Sequence, residues 1–178
     1  MSAASQTMAL GAEATAVPEW TLEMAFRDHA QTVLRTAYRV TGRMADAEDV
    51  LQTVFLRLSA RTPGAVENLE GYLRRAAVNA ALDVLRSRKT WNEVELQEQL
   101  PSARAASSFE AAHIRNSLRH ALGSLSPRAA EIFVLRFVEG HDNRTIARML
   151  NTSAAVIAVL LHRARRQLQK ELRGMERP

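Results

Sequence analysis

Three groups of side chains in this sequence are spaced to bind something charged. The first is acidic. Asp46, Glu48 and Asp49 stand just ahead of an apolar stripe made by Val50, Leu51, Val54, Phe55 and Leu58. Carboxylates at a helix start favour its positive end, and they can also receive arginines from a partner. The second group is basic. A loop, Thr62–Asn68, precedes Tyr72, Arg74, Arg75, Asn79, Arg86, Arg88 and Lys89, and between Arg61 and Lys89 there are six bases and three acids. An aromatic ring among arginines suits unstacked bases and a single-stranded backbone; a solvated basic helix has the same composition. The third group, His162, Arg163, Arg165, Arg166 and Lys170, follows a short helical segment and a tight turn. That is the helix-turn-helix pattern, in which the second helix meets the major groove and nearby cations hold phosphates. A helical hairpin with a solvated arginine face gives the same pattern.

Other chemistries lack their parts. There is no glycine-rich phosphate loop, no H-E-x-x-H and no G-x-S-x-G. The five histidines (His29, His113, His120, His141 and His162) have no metal-ligand spacing, and cysteine is absent. Disulfides, thiolate zinc sites and cysteine nucleophiles are therefore excluded. The expectation is a protein that is not an enzyme, with no cofactor and no metal.

The elements that must position the three groups are helical. Apolar residues recur three or four apart from Leu22 to Val40, and Gly42 ends that helix. Asp46 is placed to cap the next. A third helix runs from about Gly71 to Arg88 with Leu73, Ala76, Ala77, Ala80, Ala81, Val84 and Leu85 inward. A fourth runs from near Phe109 to Leu122. Ser126-Pro127 opens a fifth, which stops at Gly140. Asp142 caps a short helix, 143–150, and Ser153 caps a long last one to about Arg173. No strand-like alternation occurs. The fold class is all-α: two small helical domains joined by a linker, the second a helix-turn-helix domain. The expected divisions are a tail at 1–19, a first domain at 20–89, an acidic linker at 90–108, a second domain at 109–174 and a tail at 175–178.

Of 178 residues, 47% are hydrophobic, enough for one modest core or two small ones. Charge separates the halves. Residues 1–112 carry net −2 and residues 113–178 net +7, so the second half is suited to a polyanion. The N-terminus does not read as a signal peptide, and the longest apolar run, Ala154–Leu161, is too short to span a bilayer. No membrane insertion is expected, and the expected location is the cytoplasm.

In this order, ADAEDVLQTVFLRL (Ala45–Leu58), LEGYLRRAAVNAALDVLRSR (Leu69–Arg88) and LSPRAAEIFVLRFVEGHDNRTIARMLNTS…LHRARRQL (Leu125–Leu168) resemble a bacterial extracytoplasmic-function sigma factor, the small two-domain specificity subunit of RNA polymerase. The resemblance covers about residues 20–172. It implies that Asp46, Glu48, Asp49, Gln52 and Phe55 dock on the clamp helices of the largest polymerase subunit. It implies that Asn68, Tyr72, Arg75, Asn79 and Arg86 recognise and melt the −10 promoter element, where a flipped base must find a preformed pocket. It places the −35 element on Arg144, Ser153, Ala155, Ala158, Val159, His162, Arg163 and Arg166. Core RNA polymerase, promoter DNA and an anti-sigma factor are the implied partners. A member free of them could also pack its two domains together and cover both DNA faces.

The sequence departs from the family at one place. Val156, Ala158, Val159 and Leu160 stand where members often carry Thr, Lys, Ser and Arg. The segment AAVIAVLL offers base edges almost no hydrogen-bond donors. Thymine methyl contacts, backbone contacts and DNA shape could substitute. Alternatively this face meets a protein, and the chain is a sigma-like interaction protein brought to DNA by that partner. A core role for Val156, Ile157, Leu160 and Leu161 would leave only Ala158 and Val159 outward.

Overall fold

The structure, a computed structural model, describes residues 20–61, 66, 68–95 and 106–175, with no side-chain description for 89–95, 106–111 and 175. The expected tail at 1–19, most of the loop at 62–68 and the linker residues 96–105 lie outside the described residues, as do 176–178 of the expected C-terminal tail.

Helix α1, Leu22–Thr41, begins where the Thr21 side chain accepts the Met24 N–H at 3.2 Å. It ends as expected at Gly42, whose φ of 73° lets its N–H reach back to the Tyr38 carbonyl. Helix α2, Met44–Ser59, starts two residues before the expected cap. Arg43 is its N-cap, without a side-chain bond. Asp46 instead sits in the first turn and pairs with Arg88; an ion partner 42 residues away in sequence has displaced the local role. Helix α3, Leu69–Glu95, outlasts its expected end at Arg88 by a further two turns. Val33, Ala37, Val40, Val50, Val54, Leu58, Leu73 and Ala77 are buried among these three helices.

Helix α4, Ala106–Ser124, and α5, Pro127–Phe137, pack on α3 as well as on the rest of the second domain. Helix α5 stops three residues short of Gly140, which supplies the left-handed residue (φ 78°) of the following turn. Helix α6, Asn143–Met149, is capped by Asp142 as expected, and α7, Ala154–Met175, follows a turn in which Asn151 has φ 48°. Helices α6 and α7 cross at 105°, within the usual helix-turn-helix range. Ile146, Ile157, Leu161, Ala164 and Leu168 are buried at that junction and against α4 and α5. Apolar contact continues across the two domains without a break.

Candidate nucleic-acid interface

Helix α2 presents the acidic group on its outer side. Glu48, Asp49 and Gln52 are exposed. Asp46 is partly covered by its pair with Arg88. Phe55 is buried, with its ring 5.0 Å from that of Phe26 in an edge-to-face contact. The apolar surface that a partner could touch is therefore Leu56, 69% exposed, and Phe26, 49% exposed. Glu48, Gln52 and Leu56 follow at intervals of four, so they share one face.

On α3, Tyr72, Arg75, Asn79 and Arg86 recur at intervals of three, four and seven residues and form one row. Asn68 caps the helix, its Oδ1 accepting the Gly71 N–H at 2.8 Å. Arg61 lies over the Tyr72 ring at 4.9 Å and donates to its hydroxyl at 3.1 Å. Arg86 donates to Asp83 at 2.8 Å. Arg75 and Asn79 are held from the second domain. Arg75 Nε and Asn79 Nδ2 each donate at 3.1 Å to one oxygen, Oε1 of Glu131 on α5, and Arg128 Nη1 donates to the other at 3.2 Å. Glu131 is only 4% exposed. A buried carboxylate needs such donors, because removing it from water is costly unless its lone pairs are satisfied. Arg75 also donates to the Met149 carbonyl at 2.9 Å, and Arg128 to the Leu150 carbonyl at 3.0 Å. Two guanidiniums thus cap the C-terminal end of α6, where carbonyls lack helical partners and the dipole favours cations.

Two further contacts cross the same boundary. Glu139, after α5, accepts from the Thr36 hydroxyl at 3.0 Å, with Arg74 at 3.5 Å and Arg39 at 3.6 Å. Arg119 of α4 donates to the Val40 carbonyl at 3.2 Å and lies against Gly42 so closely that a Cβ there would clash with its guanidinium. Burial pushes the Arg119 guanidinium below its ordinary pKa, with Arg115 adding repulsion. Arg74 also binds Glu70 at 2.8 Å, which holds that carboxyl below the usual range. Sequence reasoning named none of Glu131, Glu139, Thr36, Arg39 or Arg119 as functional. The available signal was an acid set among inward apolar residues, as in Ala130-Glu131-Ile132.

Helix α7 is different. Ser153 Oγ accepts the Val156 N–H at 3.2 Å. Ala155, Val156, Ala158, Val159, His162, Arg163 and Arg166 are exposed, Ile157 and Leu161 are buried, and Leu160 lies between. Val156 therefore faces outward rather than joining the core. Arg144 is exposed on α6. Arg165 turns aside and stacks over Phe137 at 4.7 Å. Among the described residues no three His, Asp or Glu side chains gather where a metal ion could be held.

Two family models match the chain: Sigma-70 region 2 over residues 25–90 and Sigma-70, region 4 over residues 115–168. The RNA polymerase sigma-E factor of Streptomyces avermitilis is 33% identical over 152 residues, 84% of this chain and 84% of that protein. The protein of the same name in Streptomyces coelicolor is 34% identical over 152 residues, 82% of each. The ECF RNA polymerase sigma factor SigE of Mycolicibacterium smegmatis is 31% identical, covering 88% of this chain and 63% of that one. Among solved structures, the extracytoplasmic function sigma factor SigJ of Mycobacterium tuberculosis aligns with a TM-score of 0.45 at 24% identity, over 80% of this chain and 51% of that one.

Proposed function

The chain belongs to the extracytoplasmic-function sigma factors of RNA polymerase, and from that premise we propose how its surfaces divide the work. As a sigma factor it directs transcription initiation. The family is a non-catalytic specificity subunit that binds core polymerase and promoter DNA, and this chain carries no catalytic site of its own. Residues 20–89 and 109–174 are its working domains, with the acidic segment 90–108 between them, which takes in the end of α3 and the start of α4, and tails at 1–19 and 175–178. Glu48, Asp49 and Gln52, with Leu56 beside them, meet the clamp helices of the largest subunit. Asp46 orients Arg88, and Phe55 supports Phe26 from below. Asn68, Tyr72, Arg75, Asn79 and Arg86 take the −10 element. Arg144, Ser153 and the outer face of α7 take the −35 element. An anti-sigma protein is a further partner by family resemblance, and the cytoplasm is the working compartment because the polymerase is there.

The observation that carries this reading is the convergence of Arg75 and Asn79 on a single acceptor oxygen at 3.1 Å. Two donors preset on one oxygen suit a nucleic acid's phosphate or base acceptor equally well. While Glu131 occupies them, −10 DNA cannot. Binding to core polymerase therefore has to draw α5 away from α3 before the promoter is opened.

The test is reconstitution. The full chain with core polymerase is expected to give run-off transcripts from a subset of genomic fragments. Arg75→Ala should keep core binding and lose open complexes. Absence of core binding by the intact chain at low salt would overturn the reading.

A further inference from the structure

The exposed face of α7 changes character along its length. Ala155, Ala158, Val159, His162, Arg163 and Arg166 recur at three and four residues, so they form one continuous row. Val156 stands beside it. The first two turns of this row carry only methyl groups, and the next two carry only an imidazole and guanidiniums. Val156 is 45% exposed and Val159 52%. The nearest hydroxyl, that of Ser153, is committed to the helix cap. From Ser153 to His162 the outward row holds no side-chain donor or acceptor.

We infer that α7 selects promoters by packing Val156, Val159, Ala155 and Ala158 against thymine 5-methyl groups in the major groove, with His162, Arg163 and Arg166 fixing the helix on flanking phosphates. The inference rests on the assignment of α7 to the upstream promoter element. Charge decides the occupant. The methyl turns run directly into cations on the same face, and residues 113–178 carry net +7. Such a surface suits a polyanion with an apolar feature in its groove, and among the four bases only thymine presents a methyl there. The first two turns, which carry no side-chain donors, gain nothing from guanine or adenine acceptors and leave them unpaired.

The size of the effect follows from burial. Each methyl taken from water is worth about a fourfold change in affinity. The experiment uses holoenzyme assembled from the full chain and core polymerase, on a promoter obtained by run-off selection and footprinting. Thymines of the upstream element are replaced one at a time by deoxyuridine, which removes only the methyl. Contacted positions should weaken binding about fourfold each. Val159→Ala, which improves helix propensity and cannot unfold the chain through an exposed site, should weaken the thymine promoter by a similar factor and leave the uracil promoter unchanged. Equal binding of the two promoters with the upstream footprint intact overturns the methyl inference alone. Absence of any upstream footprint overturns the assignment of α7 as well. If Val156→Asp and Val159→Asp weaken core binding without DNA, the face belongs to the polymerase and the inference also falls.

Discussion

The two surfaces assigned to promoter DNA are built in opposite ways. The row on α3 is polar, and its central donors are occupied by the second domain through Glu131. The row on α7 is apolar where it would enter a groove, and it is exposed. A donor such as Arg75 needs an acceptor wherever it is half-buried, so a free chain gains by supplying one from within. Methyl groups require no partner and lose little by standing in water at four positions. The free protein therefore occupies the central donors of the row proposed to open DNA and leaves exposed the row proposed to find it. Packing of the two domains, which the resemblance allows for both faces, covers only one.

Breaking the contact at its centre is expected to have the largest effect. Arg75→Ala leaves Glu131 buried with two donors in place of three, and strips a cap from α6. Breaking a buried pair costs about 3–5 kcal/mol, and the low end applies here because Asn79 and Arg128 remain. Hydrogen exchange at the α3–α5 boundary should show it. The matched change on α7, Arg166→Ala, should stay within about 0.5 kcal/mol. Equal costs would erase the contrast.

Glu131→Gln is next. It keeps the shape and removes the charge, so it should raise the free chain's affinity for a single-stranded −10 oligonucleotide roughly tenfold, the size of a typical coupling between sites. Duplex binding through α7 should change less than about twofold. Fluorescence anisotropy with the two DNAs separates the outcomes.

Legibility in the sequence followed the range of each interaction. Turns and caps are local, so Gly42, Asp142 and Ser153 were readable from the residue and its neighbours. The inward stripe of α2, including Phe55, was readable from spacing. Asp46 misled because a capping position and an ion pair use the same side chain, and Arg88 was too distant to weigh. Glu131 lies in the first turns of a helix, where an acid needs no special partner. Its true partners, Arg75 and Asn79, lie 56 and 52 residues away. Periodicity tells which face of a helix is inward, not what another domain brings to it.

Smaller effects sharpen the comparison at α7. Removing Arg163 or Arg166 by Ala should lower the salt dependence of duplex binding by about one phosphate contact each, with −10 oligonucleotide binding unaffected. The smallest expected effect is at the α6 cap. The Thr145 N–H, 2.6 Å from Asp142 Oδ1, holds that carboxyl below its usual range. A lowered folded pKa means that the stabilisation is present above the ordinary carboxylate range and is lost as pH falls through the lowered value. Melting temperature should therefore drop slightly on acidification, and Asp142→Asn, which can still accept from Thr145, should flatten that slope.

The sequence has no cysteine, so a label pair can be placed cleanly. Gln31→Cys on α1 and Gln169→Cys on α7 are both at exposed positions, and energy transfer between dyes on them reports the separation of the two domains. High transfer in the free chain, falling when core polymerase is added and staying low on promoter DNA during transcript synthesis, is the predicted result. Unchanged high transfer in a complex that makes transcripts would show that α5 never leaves α3, and would contradict the account.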